Sequence, residues 1–340
     1  MVKLFFYFSG EHEILPSAEC KAILEAENIY YNIIREAPRL LLLETEGAAA
    51  WKVAERAAYT YIACRLIDIY KLPLKDINIK SLKELNLAEK ESFSVRVHLL
   101  ENKRAYDKIE MEKLIGSKII EASLNSLKVK LQSPRYEFIG VVTGGELYLG
   151  LLVAKTDRKA IDKRSGKYRP YFQPGVINPR LARAMVNLAR AKSGDLFIEP
   201  FIGTGGIALE AGLQGCRIIG LDIKKKMIYA SKKNLNYYNV KYELAIGDAR
   251  NIPFTKFDCG AGDPPYGIST STIGEDTKTL IEETLKNIQH LIKPGGYFTI
   301  AFPATVKLDS LLNDLKITLI EVFDIYVHKS LTRRIAVLRR

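Results

Sequence analysis

The residues best suited to chemistry lie in the second half of the 340-residue chain, at the ends of short apolar segments. Phe257–Gly262 runs into Asp263-Pro264-Pro265-Tyr266-Gly267. Two consecutive prolines hold φ at about −65° and remove two backbone donors, which leaves carbonyls exposed. An acid, rigid carbonyls and an aromatic ring then meet at one strand tip. Such a tip suits the exocyclic amine of a nucleobase, which is conjugated and barely nucleophilic. Its N–H bonds must be accepted from one side while the nitrogen is held in line with an electrophile. Asp263 and the Pro264 carbonyl can accept them, and Tyr266 can stack on the ring. The gain is mainly positioning, with an acceptor for the proton lost as the new bond to nitrogen forms. A paired base cannot reach such a pocket, so the target nucleotide must be flipped or already unpaired. A Pro-Pro-Tyr turn alone is only a stiff loop; its place in a sheet makes it a candidate site.

Three other strand patterns end in residues that could hold the carrier of that electrophile. Leu196–Pro200 leads through Glu199-Pro200-Phe201-Ile202-Gly203-Thr204-Gly205-Gly206 into a helix pattern. Glycines there let backbone N–H groups and a helix N-terminus approach a ligand at the carboxyl edge of a sheet. The next pattern ends in Gly220-Leu221-Asp222, 19 residues after Gly203, where a carboxylate can accept both hydroxyls of a ribose. The third ends in Gly247-Asp248-Ala249, where a second acid can receive an adenine amino group. NAD and S-adenosylmethionine both fit that outline. The dinucleotide fingerprint G-x-G-x-x-G is absent, because Gly203-Thr204-Gly205-Gly206 is followed by Ile207 and Ala208. Glu199 beside the loop disfavours a pyrophosphate and accepts a cation-bearing amino acid tail. These features favour S-adenosylmethionine. The plainer reading is that the glycines only make tight turns in an inert α/β domain.

The elements that must position these residues follow from the hydropathy period. Asn178-Pro179 opens a helix running to about Lys192, with Asn as the cap and Pro at the first helical position. Strand and helix patterns then alternate: Leu196–Pro200, Ile207–Leu213, Arg217–Ile223, Lys225–Tyr238, Tyr242–Gly247, Phe257–Gly262, Glu275–Lys293 and Tyr297–Phe302. That alternation predicts a doubly wound, mostly parallel sheet. Leu315–Val327 and Arg334–Leu338 are too close for a crossover helix, so they should form an antiparallel pair at the sheet edge. The first half reads as mixed α and β. Strands are expected at Val2–Phe8, Tyr30–Ile34, Arg39–Glu44, Phe93–Leu99 and Lys128–Leu131, and helices at Leu15–Glu27, Ala48–Tyr70 and about Met111–Glu121. Phe138–Val142 and Leu147–Val153 flank Thr143-Gly144-Gly145, a hairpin signal. This half looks like a binding or positioning module.

Composition excludes several classes. With 47% hydrophobic and 26% charged residues the chain is ordinary globular protein, not disordered. No stretch approaches about 18 uninterrupted apolar residues, so no membrane span is expected, and no signal peptide is read at the N-terminus. The expected compartment is the cytoplasm. Cys20, Cys64, Cys216 and Cys259 lie far apart without a CxxC pair, which disfavours a disulfide framework or thiolate metal site. His12, His98, His290 and His328 do not pair at ligand spacing, so a metalloenzyme is disfavoured.

The net charge of +12 is unevenly placed. Residues 1–156 carry 22 basic against 21 acidic side chains, residues 157–192 carry 10 against 2, and residues 193–340 carry 19 against 16. The central block, including Arg164, Lys167 and Arg169, would attract a polyanion with salt-dependent affinity. Tyr168, Tyr171 and Phe172 sit among the charges and could stack on bases. The alternative is a solvated linker followed by an amphipathic helix with basic outer positions.

These residues together resemble a known family. Glu199–Gly206 and Asp263–Gly267 resemble motifs I and IV of amino-group methyltransferases that use S-adenosylmethionine. Arg169-Pro170-Tyr171-Phe172-Gln173-Pro174-Gly175 and Asn178–Leu188 look like the segment before motif I in archaeal tRNA guanine-N2 methyltransferases. The stretch from Asp263 to Thr270 is closest to the guanosine-10 branch. Phe93–Leu99, Ile115-Gly116, Lys128–Leu131 with Pro134, and Tyr148-Leu149-Gly150 look like a THUMP domain. The resemblance is specific at the two motifs and the helix before them, and diffuse before residue 90.

It implies a Rossmann-like methyltransferase domain at 176–340, a basic linker at 157–175, a THUMP RNA-binding domain at 71–156 and a ferredoxin-like segment at 1–70. It implies S-adenosylmethionine as cofactor, held by Pro174, Glu199, Phe201, Gly203, Thr204, Gly205, Asp222, Ile223, Asp248, Ala249 and Asp263. Asp263, Pro264 and Tyr266 would be catalytic. The partner would be tRNA, gripped at its 3′ end by the front module while the basic segment tracks the backbone and the catalytic domain meets guanosine at a fixed distance. Because residues 1–156 are nearly neutral, RNA binding there requires a local basic face such as Lys128, Lys130 and Arg135. The expected product is N2-methylguanosine at position 10. A second methyl, an activating small partner protein and the oligomeric state stay open.

The alternatives are the guanosine-6 homologue, a DNA adenine methyltransferase, and a non-catalytic tRNA-binding subunit with a degenerate methyltransferase fold. A THUMP-like front half favours RNA over DNA. Intact Asp222, Asp248 and Asp263 argue against degeneracy. A thiouridine-forming enzyme would need an ATP-pyrophosphatase loop and a reactive cysteine, and neither is apparent.

Overall fold

The computed structural model describes residues 1–74, 77–101, 105–265, 277–306, 308–312, 315–328 and 331–340. They form two compact units. The first comprises Met1–Ser17, Ile29–Glu55 and Thr60–Thr156; the second comprises Ala18–Asn28, Arg56–Tyr59 and Asp157–Arg340.

In chain order the front of the molecule runs β1 (Val2–Phe8), α1 (Leu15–Ala26), β2 (Tyr31–Ala37), β3 (Leu40–Thr45), α2 (Ala48–Arg56), β4 (Thr60–Lys71), β5 (Ser92–Leu99), α3 (Lys108–Ala122), β6 (Lys128–Val129), β7 (Tyr136–Thr143) and β8 (Glu146–Lys155). The first unit is built on one eight-stranded sheet of order β2-β3-β1-β4-β8-β7-β5-β6. Successive strand residues serve opposite faces, as a pleated strand requires. Phe138 packs with Phe93, Val95 and α3's Ile115 and Ile119, whereas its neighbour Ile139 packs with Phe5, Leu42 and Tyr148 on the other side.

The single helix expected over Ala48–Tyr70 does not form. α2 stops at Arg56, and Thr60–Lys71 is a strand hydrogen-bonded to β1 on one side and β8 on the other. The apolar spacing suits either period, but the second half is rich in β-branched and aromatic side chains: Thr60, Tyr61, Ile62, Ile67, Ile69 and Tyr70. Such side chains favour a strand, and pairing with β8 along its length and with β1 over Thr60–Arg65 gives its backbone groups partners.

The second unit continues with α4 (Arg158–Asp162), a 3₁₀ turn (Gly166–Tyr168), α5 (Pro179–Leu188), β9 (Leu196–Glu199), α6 (Gly206–Leu213), β10 (Arg217–Asp222), α7 (Lys225–Tyr237), β11 (Tyr242–Ile246), β12 (Cys259–Gly262), α8 (Thr277–Leu291), β13 (Tyr297–Pro303), α9 (Asp309–Leu312), β14 (Thr318–His328) and β15 (Leu331–Arg339). Its seven-stranded sheet has the order β11-β10-β9-β12-β13-β15-β14. Strands β9 to β13 are parallel, and β15 and β14 close the edge as an antiparallel pair. This is the doubly wound sheet with an edge hairpin that the sequence predicts. The helix at Asn178 is capped as expected, its side chain accepting from the Arg180 amide at 2.8 Å, and ends at Leu188. The core joins Ile198, Ile219, Phe298 and Ile300 of the sheet to Ile281, Leu285 and Ile288 of α8.

Segments 18–28 and 56–59 belong to this unit through buried polar bonds. The Glu19 carboxylate accepts from the amides of Ala58 and Tyr59 at 2.9 and 3.0 Å and from Asn187 Nδ2 at 2.7 Å. Arg183 Nε donates to the Arg56 carbonyl at 2.9 Å.

Residues 157–175 are not an open basic linker. Asp157 caps α4 by accepting from the Ala160 amide at 3.0 Å. Arg164 then forms a two-pronged pair with Glu210 of α6, at 2.7 and 2.8 Å, and Glu210 is fully buried. Sequence counting registers these cations as surplus because their acidic partners lie far along the chain.

Candidate active site

The strand order reverses between β9, which leads to β10 and β11 on one side, and β12, which leads to β13 on the other. Loops leaving the carboxyl ends of such strands diverge and open a crevice. The glycine loop after β9 and the Asp263 tip after β12 are those two loops. Gly203 and Gly205 have φ of 49° and 78°, a left-handed region that glycine enters without the Cβ penalty. The turn they permit lets the Ile202 amide donate to the Leu221 carbonyl at 3.0 Å and starts α6 at Gly206.

Two acids brace this loop. Asp222 accepts from the Gly203 amide at 3.0 Å and from the Lys224 amide at 2.9 Å. Burial pushes its carboxyl above the ordinary value, and those amides oppose the shift. A carboxylate has about four acceptor positions, so capacity remains for ribose hydroxyls. Glu199 is buried and accepts from the Ala208 amide at 2.6 Å, in the first turn of α6. Burial pushes its carboxyl well above the ordinary value, opposed by the Ala208 amide and aided by the Asp263 charge.

A cavity of about 670 Å³ lies over these strand ends. Of the residues expected to hold the cofactor, Pro174, Glu199, Phe201, Gly203, Thr204, Asp222, Ile223, Asp248, Ala249 and Asp263 line it, as does Pro264. Gly205 does not; it is the residue from which α6 starts. Tyr266 lies outside the described residues.

Two arginines absent from the sequence-based expectation also line the cavity. Arg250 clamps Asp248, with Nε 3.0 Å from both carboxylate oxygens and Nη2 2.5 Å from Oδ2. That hydrogen bonding holds the Asp248 carboxyl below the ordinary range despite partial burial. The Asp-x-Arg spacing is a usable local signal. Arg333 reaches in from β15 and places Nη2 3.4 Å from Asp263 Oδ2. No local signal marks Arg333, because its proximity to Asp263 is created by the sheet order.

The residues expected to meet RNA separate in the structure. Lys128 and Lys130 are exposed at β6, an edge of the eight-stranded sheet. Lys167 is exposed, its ammonium 4.8 Å from the centre of the Tyr168 ring. Arg164 is paired with Glu210 as described. Arg169 is 5% exposed, its Nε donates to the Arg164 carbonyl at 2.8 Å, and its terminal nitrogens are buried without a hydrogen-bond partner. Burial pushes its guanidinium below the ordinary value. Arg164 and Arg169 are thus engaged within the second unit, whereas Lys167 is exposed.

The donors fit an adenosine ligand without a pyrophosphate. A phosphate at a helix N-terminus needs its free amides, and at α6 the Glu199 carboxylate already occupies one. Asp222 offers acceptors to a ribose, while Ile177, Phe201, Ile223 and Met227 supply apolar wall. Fold and site define an S-adenosylmethionine-dependent methyltransferase.

Comparison with known proteins agrees. A family model described as an RMKL-like methyltransferase domain (UPF0020) matches residues 166–334. A tRNA (guanine(10)-N2)-dimethyltransferase of Methanocaldococcus jannaschii is 34% identical over 98% of this chain and 99% of its own. The protein of the same name from Methanothermobacter thermautotrophicus is 32% identical over all of both chains. Among solved structures, TrmN from Thermus thermophilus superposes with a TM-score of 0.56 over 99% of each chain at 18% identity, a likeness of fold. The chain belongs to the family of archaeal tRNA (guanine(10)-N2)-dimethyltransferases.

Proposed function

We propose that the chain methylates N2 of guanosine 10 in tRNA, forming N2-methylguanosine and, as the relatives' names suggest, the dimethylated base by a second transfer. The observation that carries this is the convergence of Asp263 and Pro264 with the Gly203 loop and Asp222 on one cavity. S-adenosylmethionine would supply a sulfonium methyl group, whose bond to sulfur breaks as the bond to nitrogen forms, leaving S-adenosylhomocysteine. The chain's own contribution is orientation. Asp263 and the Pro264 carbonyl accept the two N–H bonds of the target amine, which directs the nitrogen lone pair along one line. As the N–C bond forms, the amine sheds a proton, for which Asp263 is the acceptor, and the proton then passes to water. Tyr266 is proposed to stack on the flipped base. Residues 1–70 and 71–156 are proposed as ferredoxin-like and THUMP segments that hold the acceptor end of the tRNA with Lys128 and Lys130.

The test is methyl transfer from labelled S-adenosylmethionine to an unmodified tRNA transcript and to one carrying adenosine at position 10. Incorporation into the first alone supports the reading. Equal incorporation into both moves the target elsewhere, and none in either removes the catalytic assignment.

A further inference from the structure

Four of the ten basic side chains of residues 157–192 are paired with acids within the second unit. Arg164 and Arg183 meet Glu210, Arg180 meets Asp162 and Arg190 meets Glu25. A more concentrated cationic surface lies on α7. Its buried side is Met227, Ile228, Ala230, Ser231, Asn234 and Leu235. Its outer side is Lys225, Lys226, Tyr229, Lys232, Lys233 and Tyr237, recurring at helical spacings of three and four. The helix contains no acid, Lys224 precedes it, and among the described residues none of Lys225, Lys232 and Lys233 forms an ion pair. Tyr229 and Tyr237 are 66% and 64% exposed, far more open than a ring in a packing role.

The surface continues onto the strap before α5. Asn234 of α7 accepts from the Tyr171 amide at 2.9 Å and donates to the Tyr171 carbonyl at 3.1 Å, which fastens strap to helix. On the strap, Lys167, Tyr168 and Phe172 are exposed. Both elements also reach the cavity, α7 through Lys226 and Met227 and the strap through Gln173 and Pro174. Cations interleaved with open aromatic rings are what a single-stranded nucleic acid requires: ammonium groups for phosphates and faces for unstacked bases.

We propose that the outer face of α7 and the adjoining strap form the RNA-docking surface of the catalytic unit, holding the nucleotides that flank the flipped target. This rests on the tRNA reading above and identifies where that substrate lies. A solvated helix face would be expected to mix acids with its lysines, and a site for an acidic protein would not need open aromatics beside the cavity that takes a base.

The experiment is tRNA binding by the full chain, measured by filter retention over a range of salt concentrations, with K225Q/K232Q/K233Q and, separately, Y229A. None of these four side chains lines the cavity. The triple variant should raise the tRNA Kd by about 10-fold or more at ~0.15 M salt and reduce the salt slope by roughly 2 to 3, at about 0.7–0.9 for each phosphate no longer neutralised. Y229A should weaken binding about five-fold or more without changing the slope, as loss of stacking does. The Lys→Arg triple should bind as the parent does. S-adenosylmethionine affinity, measured by equilibrium dialysis, should be unchanged in all, which establishes that each variant is folded. An unaltered tRNA Kd and slope in the triple variant overturns the proposal and assigns the face to an acidic protein partner or to solvent. Binding is read without chemistry, so failure of the methyl-transfer reading shows separately, as absent incorporation by a parent protein that still binds tRNA.

Discussion

A carboxylate that must accept an amine N–H works best when it is ionised and held still. Asp263 meets the Arg333 guanidinium at 3.4 Å, and both side chains are largely buried. Asp263→Ala should lower turnover by about 10²-fold or more while tRNA affinity stays within a few-fold; unchanged turnover in a single-turnover assay would remove Asp263 from the chemistry. Arg333→Met should lower kcat by up to about 10²-fold through misplacement of that carboxylate, with KM for tRNA little changed, and Arg333→Lys should restore part of it. If Arg333→Met moved KM alone, Arg333 would be a binding residue instead. Glu199 gives a pH signature. Its folded value is raised above the ordinary carboxylate value, chiefly by burial, so the unfolded chain loses this proton first. Stability should then fall as pH rises from the ordinary carboxylate range toward the raised folded value. Glu199→Gln should flatten that part of a Tm-against-pH curve, and an unchanged curve would show that Glu199 ionises normally. The acids were legible in sequence because each ends a strand pattern. Arg333 was not, because a residue 70 positions from Asp263 is placed by topology.

Among the elements, α6 links the cofactor loop to the rest of its unit. Its N-terminal turn takes the Glu199 carboxylate, and its Glu210 takes Arg164 and Arg183. Arg164 ends the turn leading into the strap, so the Glu210 pair ties α6 to the segment that carries Pro174. Glu210→Ala would leave two largely buried guanidinium groups uncompensated. Breaking a buried pair from one side costs about 3–5 kcal/mol, and a loss of that size should appear in urea unfolding. A loss under about 1 kcal/mol would mean that water reaches Arg164 and Arg183 once the carboxylate is gone. Regular elements of this unit were legible because strand and helix periods alternate cleanly and Asn178-Pro179 marks a helix start. Two things were not. Thr60–Lys71 reads as a continuation of α2 because its apolar positions fit both periods, and only pairing with β1 and β8 decides. The cations at 157–192 read as a surface because a charge count is blind to Glu25 and Glu210.

For the whole molecule, the two units differ in how they can carry charge toward a tRNA. Residues 1–156 are nearly neutral overall, yet β6 and the residues just after it expose Lys128 and Lys130 beside the apolar side chains Val129 and Leu131. The second unit presents the lysines of α7. If one tRNA spans both surfaces, each phosphate contact contributes independently to counterion release, and distant substitutions should add. K128Q/K130Q should reduce the salt slope of tRNA binding by roughly 1 to 2, and combining it with K225Q/K232Q/K233Q should reduce it by about 3 to 5. S-adenosylmethionine binding should not change in either variant, because none of these lysines lines the cavity. A combined slope equal to that of the α7 triple alone would show that Lys128 and Lys130 make no phosphate contact. Additive slopes would instead show that each unit makes its own phosphate contacts with the tRNA.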